Sequence, residues 1–190
     1  MKNILFVDAC VRSESRTLAL ARCLLECLGN DYTEVNVTDK CMRPLDGKAL
    51  EERTEKTRKA DFSDALFAPA RQFAEAETVV IAAPFWDLSF PSCLKIYFES
   101  ILVSGLTFTY QSGRPEGLCR AKRLCYVTTA GGMLSPDFGF SYVKALAENF
   151  FGIPEVKCFH AEGLDIIVND VQRILREAKE KIRSEFALSS

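Results

Sequence analysis

Residues 8–17, Asp8-Ala-Cys-Val-Arg-Ser-Glu-Ser-Arg-Thr17, follow the apolar run Ile4-Leu-Phe-Val7 and bring together a thiol at Cys10, a guanidinium at Arg16 and hydroxyls at Ser13, Ser15 and Thr17. Three chemistries suit this set. A thiolate can attack a phosphate that an arginine and main-chain N–H groups hold, and a helix N-terminus lowers a thiol pKa. The hydroxyls and N–H groups can instead cradle a phosphate monoester without a covalent step. Ser15 can also simply cap a helix.

Two further stretches carry chemistry. Ala82-Ala-Pro-Phe-Trp-Asp-Leu-Ser-Phe90 ends an apolar run with two large aromatics, and Trp86 is the single tryptophan of the chain. An exposed indole invites a flat ligand or a partner chain, although Phe85 and Trp86 could also plug a sheet end. Thr128-Thr-Ala-Gly-Gly132 pairs glycines, which let a ring system approach main-chain groups closely.

The elements that position these stretches follow from the hydrophobic pattern. A continuous apolar run predicts a strand at 3–8, buried strands follow at 78–83 and 121–129, and 33–37 and 155–160 read as two further strands. Helical periodicity covers 16–28, 47–58, 63–76, 91–104, 138–151 and 168–187. Leu106 to Tyr110 alternates, and Gln111-Ser-Gly-Arg-Pro115 supplies a turn. Strands apolar on both faces and separated by helices imply a parallel sheet covered on both sides. Five of them in 190 residues match an α/β, flavodoxin-like, doubly wound sheet of order 2-1-3-4-5, a single domain over 1–190. Ligands of such sheets bind at the carboxyl ends of strands beside the switch point, where loops 8–17, 84–90 and 129–135 converge.

Composition narrows the classes. Hydrophobic content of 48% and charged content of 26% describe a globular chain, and the net charge of -2 offers no basic field for nucleic acid. No apolar run reaches the ~18 residues of a membrane span, and no secretory signal precedes the first strand. The eight cysteines include no C-x-x-C and accompany one histidine, His160, so neither a disulfide framework nor a metal site is expected, and a reducing cytoplasm is. The polar segment 40–76 could cover the pocket or only the sheet.

Cys10 to Thr17 fits C-x5-R-[ST], and in that respect resembles the phosphate loop of low-molecular-weight tyrosine phosphatases. Their chemistry needs a general acid, supplied in that family by an Asp-Pro motif, and this chain has no Asp-Pro. The loop Val11-Arg-Ser-Glu-Ser15 also lacks glycine or asparagine for left-handed turns. A phosphate cradle, an aromatic wall and a glycine shelf at one sheet edge together describe a flavin mononucleotide (FMN) site.

Several spaced motifs resemble the FMN-dependent NADH azoreductase and quinone oxidoreductase family. They are Ala83-Pro-Phe-Trp-Asp-Leu-Ser-Phe-Pro-Ser-Cys-Leu-Lys-Ile-Tyr-Phe98, Gly105-Leu-Thr-Phe-Thr-Tyr110, Arg114-Pro-Glu-Gly-Leu118, Val127-Thr-Thr-Ala-Gly-Gly132 and His160-Ala-Glu-Gly163. The resemblance implies a homodimer and hydride transfer from NADH or NADPH, through tightly bound FMN, to a small aromatic acceptor such as a quinone or azo compound. It implies that Ser15, Arg16 and Thr17 hold the phosphate, with Cys10 where relatives often carry serine. It places Pro84, Phe85, Trp86, Asp87 and Leu88 along the ring, Thr129, Gly131 and Gly132 at its pyrimidine edge, and Tyr110 and Phe150 around the substrate. No obligatory acid–base side chain follows, although His160 and Tyr110 could assist protonation. Trp86-Asp87 stands where the family commonly has Tyr-Asn, and Ala130 where it often has a polar or basic residue. A flavodoxin-type electron carrier is the remaining alternative.

Overall fold

The computed structural model describes residues 3–38 and 42–187. Five strands, β1 (Ile4–Asp8), β2 (Tyr32–Asn36), β3 (Thr78–Ala82), β6 (Arg123–Thr129) and β7 (Glu155–Ala161), form one parallel sheet of order β2-β1-β3-β6-β7. Counted among themselves these are the expected 2-1-3-4-5. The alternating segment near Tyr110 is a separate antiparallel ribbon, β4 (Phe108–Gln111) and β5 (Arg114–Gly117).

Side chains alternate across each strand, so β1 feeds two cores. Ile4 and Phe6 pack with α1 (Arg16–Leu28) and α6 (Val171–Ala187), whereas Leu5 and Val7 pack against α3 (Ala68–Glu75), α4 (Ser92–Ile101) and α5 (Phe138–Leu146). The second core is rich in rings: Phe73, Tyr97, Phe98 and Phe151 are all buried there. Helix α2 (Gly47–Arg58) buries no residue, consistent with its polar sequence, and Arg53 fastens it by donating to the Glu99 carbonyl at 2.6 Å. The start of the expected 40–76 cover, with Cys41, lies outside the described residues.

Three helical segments depart from what periodicity alone predicts, each for a local reason. Asp64 caps a 3-10 turn at Ala65–Phe67, and Pro69 then starts α3, so 63–76 is two elements. Helix α4 stops at Ile101 because the Thr107 hydroxyl donates to the Ile101 carbonyl at 2.7 Å and accepts the Val103 N–H at 3.1 Å. Helix α5 widens into a π turn at Ala147–Phe151 and ends at Gly152, whose φ is 70°. Among the described residues no helix is long and apolar enough to cross a membrane.

Candidate functional site

At the carboxyl end of the sheet, beside β1 and β3, the three expected loops enclose a cleft of about 290 Å³. Its floor is the start of α1. The Ser15 hydroxyl accepts the Leu18 N–H at 3.2 Å, so the residue does cap the helix. The cap leaves the N–H groups of Arg16 and Thr17 without a partner among the described residues, and the helix N-terminus concentrates positive potential there. The Thr17 and Thr129 hydroxyls, both buried, lie 2.6 Å apart and join α1 to the end of β6.

The aromatic wall follows from two tight backbone links. Phe85 donates its N–H to the Thr129 carbonyl at 3.0 Å, continuing the β3–β6 pairing beyond the strands. Trp86 and Ser89 then exchange hydrogen bonds of 3.0 and 2.8 Å around Asp87 and Leu88, whose φ values are 50° and 65°. That is a two-residue turn with both central residues left-handed, where Asn-Gly would be unstrained. It holds the half-exposed indole of Trp86 between this cleft and an adjoining one of about 440 Å³ that Asp87, Phe90 and Cys93 also line.

The third side is a strip of main chain. The N–H groups of Gly163, Leu164 and Asp165 donate to the carbonyls of Gly132, Ala130 and Gly131 at 2.7, 3.2 and 2.9 Å. The carboxylate of Asp165 fills the space beside Gly131 that a β-carbon would need. Arg16 closes the ring, donating to Asp165 Oδ1 at 2.8 Å and to the Leu164 carbonyl at 3.2 Å.

A family model described as a flavodoxin-like fold, Flavodoxin_2, matches residues 2–186. The chain belongs to the flavodoxin-like fold family. Within that family it is 33% identical over 194 residues to the FMN-dependent NADH:quinone oxidoreductase of Lachnoclostridium phytofermentans, covering 95% of this chain and 96% of the relative. It is 32% identical over 199 residues to the protein of the same name from Clostridium perfringens strain SM101, covering 95% and 96%. The azoreductase of Bacillus anthracis Sterne superposes with a TM-score of 0.83 at 24% identity, over 98% of this chain and 99% of that one. The FMN-dependent NADH-azoreductase of Bacillus anthracis Ames Ancestor, solved with FMN, gives 0.81 at 23% identity over 98% of each chain.

In this flavodoxin-like chain Ser15, Arg16, Thr17, Pro84, Phe85, Trp86, Thr129 and Gly131 all line the first cleft. Asp87 lines the adjoining one. Leu88 and Gly132 shape the flanking turns and line neither cleft. Cys10 lies under the loop with 6% exposure; its N–H donates to Asp8 Oδ1 at 2.8 Å, and its thiol sits 3.8 Å from the Ala82 carbonyl. Burial pushes this thiol well above the ordinary range; the bond from Ser15 opposes that and the nearby Asp8 adds to it, so it is not a thiolate at neutral pH. Tyr110 lies on the ribbon and Phe150 on the π turn beside it, both packed against Phe108, with ring centroids 5.5 and 5.3 Å away. Val11, Arg12, Glu14 and Ala130, within the expected loops but given no binding role there, and Leu164 and Asp165, which sequence reasoning missed, complete the cleft. Asp165 stands two residues beyond the noted His160-Ala-Glu-Gly163 segment, but nothing local marks it.

Proposed function

We propose that this chain, one domain over 1–190, is an FMN-dependent oxidoreductase that draws hydride from NADH or NADPH and reduces a small aromatic acceptor such as a quinone or azo compound. The arrangement of the cleft carries the reading. Unpartnered N–H groups at a helix start, an indole and a main-chain strip occupy three sides of one space, which is the donor set a phosphate joined to a flat ring requires. FMN would supply the two-electron redox chemistry.

The protein's own residues bind and orient. The N–H groups of Arg16 and Thr17 and the Ser15 hydroxyl hold the phosphate, and Arg12 adjoins them. Pro84, Phe85 and Trp86 exclude water from one side of the ring, with Asp87 and Leu88 fixing the indole by their turn. Thr129 and Gly131 present main chain to its polar edge, Gly132 anchors that strip through its carbonyl bond from the Gly163 N–H, and Cys10 supports the loop from below without chemistry. Tyr110 and Phe150 wall the acceptor space in a homodimer. Exposed Leu88, Met133 and Phe138 support that assembly, because they leave an apolar rim for a second copy to cover. Free thiols throughout the described residues support a cytoplasmic setting.

The test is anaerobic. Purified protein should be yellow, absorbing near ~450 nm, and NADH or NADPH should bleach it until a quinone restores the colour. Flavin that binds but is not bleached would make the protein an electron carrier. Colourless protein that refuses FMN and hydrolyses aryl phosphates, with activity lost in Cys10→Ser, would overturn the reading for a phosphatase.

A further inference from the structure

The cleft wall contains two arginines in different electrostatic situations. Arg16 is committed: its guanidinium is bonded to Asp165 and to the Leu164 carbonyl, so its charge is matched within the wall. Asp165 is itself fixed, by its N–H on the Gly131 carbonyl and by a carboxylate seated beside the Gly131 Cα. Arg12 lines the same cleft from the β1–α1 loop, is exposed, and makes no ion pair or side-chain hydrogen bond among the described residues. Glu14 lines that wall too, also without an ion pair among the described residues.

A phosphate monoester brings close to two negative charges. Approaching the Arg16–Asp165 pair, it meets a cation already neutralised and a carboxylate that repels it, so little net attraction remains. Approaching Arg12, it meets an uncompensated guanidinium able to donate two parallel bonds. Resting on the FMN reading above, we propose that Arg12 supplies the cation for the FMN phosphate, whereas Arg16 is a positioning residue that clamps the Leu164–Asp165 turn against Gly131. Sequence spacing gives the opposite assignment, because Arg16 occupies the phosphate-loop position of C-x5-R-[ST]. Glu14 acts against the phosphate, so the loop's affinity is the difference between two neighbouring charges.

Binding of FMN and of riboflavin to the apoprotein, followed by quenching of flavin fluorescence, separates the roles, since riboflavin has the ring without the phosphate. Arg12→Gln should weaken FMN about tenfold, leave riboflavin unchanged and flatten the salt dependence of FMN binding. Arg12→Lys should recover part of the loss, and Glu14→Gln should tighten FMN alone. Arg16→Gln and Asp165→Asn should each weaken both flavins by the same factor, and the double variant should lose no more than either single one. Melting temperatures of the five single variants and the double variant confirm that each is folded when titrated. Selective loss of FMN over riboflavin in Arg16→Gln, with Arg12→Gln at the wild-type value, overturns the assignment while leaving the FMN reading intact. Wild-type protein that binds neither flavin overturns both together.

Discussion

Two regions of the molecule each depend on a glycine at a close approach, and they tolerate disturbance very differently. Beside the cleft, a β-carbon on Gly131 would meet the carboxylate of Asp165, the end of a side chain held by one surface ion pair. On the ribbon, a β-carbon on Gly117 would meet the backbone of Phe151 and Gly152, the π turn that ends the α5 segment. A side chain can rotate away, but a main chain locked on the ring-rich core cannot. The site is thus built from parts that can shift locally, on a frame that cannot.

Gly117→Ala should therefore produce the largest effect. Phe151 is buried at 1% exposure with its ring 4.6 Å from Phe73, so displacing its backbone disrupts core packing. A loss of about 4 kcal/mol is expected, seen as a fall of about 10 °C in the thermal midpoint. Gly131→Ala should cost no more than about 1 kcal/mol of stability, because the displaced Arg16–Asp165 pair is exposed. It should nevertheless weaken flavin binding about tenfold by freeing the Leu164–Asp165 turn. Equal thermal shifts for the two variants would remove the distinction between frame and site.

The same contrast explains what the sequence disclosed. The frame was legible because burial on two faces forces unbroken apolar runs, such as Thr78-Val-Val-Ile-Ala82, and a period of two or 3.6 survives in a single chain. The loops at the sheet edge were legible as a consequence, since strand order alone brings 15–17, 84–87 and 129–131 together. Asp165 was not, because its role depends on Arg16, 149 residues away in sequence, and such a pairing leaves no local pattern. The early stop of α4 was hidden for a related reason: Thr107 ends it through a hydroxyl that sequence periodicity does not record. The resemblance placed Tyr110 and Phe150 near substrate, whereas within one chain they belong to the ribbon's aromatic cluster around Phe108.

The Trp86–Ser89 turn allows the comparison to be sharpened in the opposite direction, by stabilising the site. Asp87 and Leu88 both sit in the left-handed region, where a side-chain-bearing residue costs roughly 1–2 kcal/mol. The double substitution Asp87→Asn and Leu88→Gly supplies the residues that this turn prefers and should raise the thermal midpoint by about 2–4 °C. Flavin affinity should fall meanwhile, since the strained turn and the Leu88 carbonyl, which accepts the Phe138 N–H at 2.9 Å, set the indole's position. A gain in both quantities would show that the strain serves no purpose at the cleft.

Cys10→Ser should have the smallest effect, and it tests whether the loop is a cradle or a nucleophile. Cys10 stands at the boundary between frame and site: its thiol is buried against the Ala82 carbonyl, while its N–H is fixed by Asp8. A serine hydroxyl is smaller and needs a closer partner than the 3.8 Å that sulfur accepts here, so a loss of about 1 kcal/mol is expected unless the loop settles onto Ala82. FMN affinity and the rate of reduction by NADH should stay within about twofold of the wild type, since 1.4 kcal/mol would be needed for a tenfold change and the thiol lines neither cleft. A thiol held protonated by burial cannot attack phosphate, so aryl phosphate hydrolysis should be absent from both proteins. Hydrolysis present in the wild type and lost in the variant would mean that the loop opens to expose Cys10, and that this part of the boundary belongs to the site.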